Sequence, residues 1–103
     1  MAKGGKGAKR KGSAGEREVV KELKMKDIKA KKVPLSGAVS EFEDDVLVGE
    51  EEKRAEVKRR RDGWKEIYSW LDGPDLLFMR ADRKRWLVVM DLETFSKIWK
   101  GEI

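Results

Sequence analysis

Apolar positions along the chain switch between a helical period and a two-residue alternation, and the switches mark the elements. Val19, Val20 and Leu23 recur at helical spacing behind Ser13-Ala14-Gly15-Glu16, a capping-box pattern, which predicts a helix over about 14–27. Residues 29–34 read as a short strand whose Pro34 places it at a sheet edge or a strand end, and Ser36-Gly37-Ala38 as a loop. Residues 44–48 and 54–59 read as two strands joined by a polar hairpin from Gly49 to Lys53. Trp64, Ile67, Tyr68 and Leu71 form an i, i+3, i+4, i+7 stripe between Asp62-Gly63 and Gly73-Pro74, which is a second helix. Residues 76–80 and 86–90 make another strand pair across a charged turn, and Asp91 is placed to cap a last helix whose Leu92, Phe95, Ile98 and Trp99 face inward. Strand pairs mixed with helices predict an α/β (α+β) layer, a central mixed β-sheet flanked by helices. Residues 1–12, rich in glycine and lysine and poor in apolar side chains, read as a flexible basic arm ahead of a single domain over 13–103.

Composition narrows the chemistry. The 103 residues include no cysteine and no histidine, which excludes disulfides, zinc held by the usual nitrogen and sulfur donors, and any triad built on imidazole. Carboxylates, lysine, arginine, serine and one tyrosine remain, a set suited to Mg²⁺ or Mn²⁺ bound through oxygen. No stretch approaches the roughly 20 apolar residues that span a bilayer, and no apolar signal region follows the N-terminus, so a soluble, cytoplasmic protein without a membrane partner is expected. Charged residues make up 44% of the chain with a net charge of only +5, and they are segregated. Lys3, Lys6, Lys9, Arg10 and Lys11 come with no acid; residues 41–52 hold seven acids and no base; residues 53–61 hold six bases around Glu56. The basic blocks suit a polyanion, because neutralising phosphates releases counterions and gives sequence-independent affinity.

The acidic cluster Glu43-Asp44-Asp45 lies one hairpin before Glu56-Val57-Lys58. In a strand Glu56 and Lys58 project from one face and Ala55 and Val57 from the other, so the apolar pair is free to be buried while the charged pair meets a shared site. The hairpin brings Asp45 beside Glu56, and two hard carboxylates with the carbonyl of Val57 make a cradle for Mg²⁺. The plainer reading of Asp44 and Asp45 is a solvated approach to a strand. Lys58 either orients or deprotonates an attacking water or forms a surface ion pair with Glu56 or Glu52. Glu16 lies on the same helical stripe as Val19, Val20 and Leu23, so its carboxylate faces the core and needs a partner there, either the capping box with Ser13 or a metal site. Arg17 is placed to reach a phosphate, and Ser36 with Gly37 offers a hydroxyl and an unhindered N–H for the same purpose. Trp64 and Trp99 fall on apolar stripes and read as core rather than as base-stacking platforms.

Arg10-Lys11-Gly12-Ser13-Ala14-Gly15-Glu16-Arg17-Glu18, then Asp45-Val46-Leu47-Val48-Gly49, then Glu56-Val57-Lys58, resemble in order and spacing the archaeal-type Holliday junction resolvases of the PD-(D/E)xK, restriction-endonuclease-like superfamily. The match covers about residues 10–60. The resemblance implies a restriction-endonuclease-like fold, a homodimer with two active sites, and Mg²⁺-dependent paired cutting at a four-way DNA junction, with Mn²⁺ as a substitute ion. It implies Asp45, Glu56, the Val57 carbonyl and Glu16 at the metal, Lys58 as the catalytic lysine, and Arg17 and Ser36 on substrate phosphate. Arg10, Lys11, Arg59, Arg60 and Arg61 complete the expected DNA-binding set. The alternatives are a general or nicking nuclease and a non-catalytic nucleic-acid-binding protein.

Overall fold

The computed structural model describes residues 2–33 and 45–103, with side chains from residues 14–33 and 46–103. It divides into two compact units, Met1–Arg59 and Arg60–Ile103.

The first unit contains helix α1 (Ala2–Met25) and strands β1 (Ala30–Lys32), β2 (Asp45–Val48) and β3 (Lys53–Glu56), which form an antiparallel sheet in the order β1-β2-β3. α1 begins at Ala2 rather than near residue 14, so the segment read as a flexible arm has helical backbone and Ser13 lies inside the helix instead of capping it. Once the turns carrying Val19, Val20 and Leu23 exist, extending them needs no new nucleus, and the intervening Ala, Lys and Arg favour extension while Gly4, Gly5, Gly7 and Gly12 oppose it. The C-terminus closes sharply. Asp27 takes a left-handed φ of 62°, Ile28 N donates to Leu23 O at 2.9 Å and Asp27 N to Lys24 O at 3.0 Å. This paired closure satisfies two end carbonyls and swings Ile28 under Leu23, where each is 2% exposed.

Ala30 pairs with Val48 and Lys32 with Val46, so these four residues share one face of the sheet. α1 packs on β1 and β2, and Leu23, Ile28, Ala30, Val46 and Val48 form the buried apolar core. The β2–β3 hairpin turns through Gly49, at φ 82°, and Glu52, at φ 52°, with Glu52 N donating to Gly49 O at 3.1 Å.

The second unit holds α2 (Lys65–Trp70), β4 (Leu77–Met79), β5 (Leu87–Val89) and α3 (Leu92–Trp99), with β4 and β5 paired antiparallel from Leu77↔Val89 to Met79↔Leu87. Asp91 caps α3 as expected, its Oδ1 accepting from Thr94 N at 2.8 Å. Two expectations fail here. Leu92 and Phe95 are half-buried, but Ile98 and Trp99 are exposed, and Tyr68 on α2 is 75% exposed. Ser96 is the buried residue among those described in this unit, its Oγ donating to Glu93 O at 2.8 Å. A two-stranded ribbon with helices of six and eight residues has too little surface to enclose whole apolar stripes.

The described strands form two antiparallel sheets rather than one mixed central sheet. The β2–β3 and β4–β5 links are short, and short links permit only antiparallel neighbours, since a parallel pair needs a crossover of a dozen or more residues. Among the described residues no helix is long and apolar enough to cross a membrane.

Candidate active site

The register of the β2–β3 hairpin sets Asp45 directly opposite Glu56 at its open end. Facing residues in an antiparallel pair have α-carbons about 4.5 to 5.5 Å apart and occupy the same face of the sheet. That face is the one turned away from α1, shared with Leu47 and Arg54, because Val46 and Ala55 in the intervening row point to the core side. Beyond β3 the alternation continues. Val57 is half-buried, whereas Glu56 and Lys58 are exposed and form an ion pair, Nζ to Oε1, at 3.6 Å.

Stability does not explain this grouping. Like charges at directly facing positions disfavour a sheet, and an exposed lysine–carboxylate pair returns about 0 to 1 kcal/mol. Two carboxylate residues and the main-chain carbonyl of Val57 are hard oxygen donors, the chemistry that suits Mg²⁺ or Mn²⁺. The described side chains contain no group of three or more acids in metal-holding range, and the side chain of Asp45 lies outside those described.

Glu16 is placed differently. It is 1% exposed, on the core stripe of α1 as its spacing requires, and its Oε1 lies 3.6 Å from Lys32 Nζ. Lys32 was not singled out by sequence reasoning; the available signal was its alternation with Ala30, which puts a lysine on the buried face of β1. α1 crosses the segment after β3 closely at Gly15, where a Cβ would lie 3.4 Å from Val57 Cγ1 and 3.5 Å from Arg59 Cβ. Glu18 reinforces the crossing with an ion pair to Arg59 at 3.2 Å. Since Val57 and Arg59 turn toward the helix, Glu56 and Lys58 turn away from it. The fold therefore groups Glu56 with Lys58, sets Asp45 opposite Glu56, and holds Glu16 with Lys32 on the α1 side.

The other candidates are distributed. Arg17 is exposed on α1. Arg60 lies over the Trp64 ring at 5.6 Å, and Arg61 approaches Asp62 at 3.9 Å. Arg10 and Lys11 have helical backbone with side chains outside those described, and Ser36 lies outside the described residues. The acidic run 50–52 is tied up locally: Glu50 pairs with Lys29, Glu52 with Lys31 and Glu51 with Lys53, each at 3.3 Å. Lys58 thus takes Glu56 rather than Glu52 as its partner. Trp64 is only half-buried and Trp99 is 42% exposed, so neither is enclosed core. Compared with models of protein families, with curated proteins and with solved structures, the chain matches none.

Proposed function

We propose that the chain is a metal-dependent DNA endonuclease on a restriction-endonuclease-like plan, acting as a homodimer that cuts paired strands at four-way junctions. The observation that carries this reading is the pairing of Asp45 with Glu56 in a hairpin whose next exposed residue is Lys58, 3.6 Å from Glu56. Asp45, Glu56 and the Val57 carbonyl would hold Mg²⁺, or Mn²⁺ in its place. When bound, such an ion supplies Lewis acidity toward a phosphodiester and a more acidic water.

The chain's own residues do the rest. The Lys58 ammonium stands 3.6 Å from the Glu56 carboxylate, where it offsets negative charge developing on the phosphate during attack. Arg59, Arg60 and Arg61 follow at once in sequence and hold the flanking phosphates, with Arg10, Lys11, Arg17 and Ser36 as further backbone contacts. Glu16, buried with Lys32 on the α1 side of the sheet, ties the helix to β1 rather than joining Asp45 and Glu56 on the opposite face. Phosphate contacts orient a duplex without reading its bases, which fits selection of branched shape rather than sequence.

One observation favours a second reading. The Glu56–Lys58 pair is exposed and complete without a metal, as a non-catalytic nucleic-acid-binding protein would have it. End-labelled four-way junction, nicked duplex and linear duplex, each incubated with wild type and Glu56→Gln in Mg²⁺ and in EDTA, separate these. Paired, Mg²⁺-dependent cuts confined to the junction and lost in the variant are expected. Cutting of every substrate makes the protein a general or nicking nuclease; binding without cutting in Mg²⁺ or Mn²⁺ makes it non-catalytic.

A further inference from the structure

We infer that Arg17, Lys21 and Lys24 on α1 line a groove, walled on the β1 side by Lys32 in its pair with Glu16, that binds the DNA sugar-phosphate backbone, a contact surface separate from the arginines that follow Lys58. The inference rests on the DNA reading above and extends it to a second surface of the first unit. These four residues, with Val20 and Met25, line a groove of about 480 Å³.

Helical geometry makes the groove continuous. Residues 17, 21 and 24 fall within about 60° of one another around the helix and span about 10 Å along it. A track of that length is long enough to meet neighbouring phosphates along one DNA strand. The charges on this helix are sorted rather than mixed. Arg17, Lys21 and Lys24 hold one flank, while Glu18 and Glu22 hold the other, and Glu18 is engaged by Arg59. Arg17–Lys21 and Glu18–Glu22 are both like-charge i, i+4 pairs, an arrangement that local helix energetics disfavour. A polyanion lying along the basic flank would offset the like charge of Lys21 and Lys24. Among the described residues no carboxylate lies within ion-pair distance of Lys21 or Lys24.

The apolar floor argues for a nucleic acid over a lipid surface. Val19, Val20 and Leu23 are wholly or partly buried toward the sheet, leaving Met25, 69% exposed, as the large apolar side chain open on this flank. A membrane-surface helix needs a broad apolar face to sink into the bilayer. Val20, half-buried, and Met25 flank the basic row on either side and offer no such face.

The test measures binding of fluorescently labelled four-way junction and duplex in EDTA across a KCl series. It compares wild type, Lys21→Gln/Lys24→Gln, and the control Lys84→Gln/Lys97→Gln, which removes the same charge from exposed sites in the second unit. Glutamine matches lysine in helix propensity, and circular dichroism verifies that each variant is folded. The groove variant is expected to bind at least about tenfold more weakly and to lose about 1.8 from the slope of log K against log[salt], at about 0.9 per phosphate contact. The control should change far less, and Lys21→Arg/Lys24→Arg should restore wild-type behaviour. Equal losses in groove and control variants overturn the groove while leaving the nuclease reading intact, since junction cleavage in Mg²⁺ is scored separately. Failure of wild type to bind either DNA overturns both. Binding to phosphatidylserine vesicles that the groove variant loses, with DNA binding unchanged, overturns the groove in favour of a membrane surface.

Discussion

Glu56 is 56% exposed at its side chain and stands opposite another acidic residue, so its contribution should depend on what else is bound. A ligand present at ten times its Kd stabilises a folded protein by about 1.4 kcal/mol, and a domain of this size gains about 4 to 8 °C in Tm per kcal/mol. Mg²⁺ is therefore expected to raise the Tm of wild type by several degrees and to leave Glu56→Gln unmoved, read by thermal scans with and without the ion. Equal response of both proteins would remove the metal from this site. Glu16 should behave in the opposite way. Its carboxylate is 1% exposed and ion-paired with Lys32 at 3.6 Å, and removing one partner of a buried polar contact costs about 1 to 3 kcal/mol. Glu16→Gln is expected to lower Tm by several degrees with or without Mg²⁺, which chemical and thermal denaturation would show. Each site residue was legible to a different degree. The burial of Glu16 followed from its place on the Val19, Val20, Leu23 stripe, but its partner did not, because Lys32 reaches it through tertiary packing that no local spacing encodes.

At the scale of elements, α1 carries the clearest test. Gly15 sits mid-helix, where glycine costs about 1 kcal/mol relative to alanine. An added Cβ would meet Val57 Cγ1 at 3.4 Å and Arg59 Cβ at 3.5 Å, ordinary packing distances. The propensity gain wins, so Gly15→Ala is expected to stabilise the protein by up to about 1 kcal/mol in urea unfolding, whereas a bulkier residue at the same place would push the helix off the segment after β3. The elements themselves were largely readable. All three helical stripes, the five strands, the Gly49 hairpin and the Asp91 cap have counterparts in the structure. Two features were not. The start of α1 at Ala2 depends on extension of a helix already nucleated downstream, which a composition count over residues 1–12 overlooks. The separation of the strands into two antiparallel sheets follows from which links are short, while the period-2 pattern of a strand is the same in a mixed sheet.

At the scale of the whole molecule, apolar surface is unevenly enclosed. Trp70, Phe78, Trp86, Leu87 and Val88 in the second unit are exposed, and apolar side chains in such number on a small unit mark an interaction surface more often than a free one. The expected homodimer would show as a light-scattering mass of twice 11.9 kDa, and Phe78→Asp/Trp86→Asp as a fall toward the mass of one chain. A single-chain mass for wild type at all concentrations would dismiss the dimer. The first unit is built otherwise: every buried apolar residue among those described, from Leu23 to Val48, precedes Arg59. Chains emerge from the ribosome N-terminus first and fold in that order where they can. The helix, its closing turn and the β1–β3 sheet are therefore synthesised as a set, and the residues that enclose the core and those that bear the acid pair are joined to the chain before Trp64. The second unit is completed last, so its late-made tryptophans spend the least time as part of an unfinished chain.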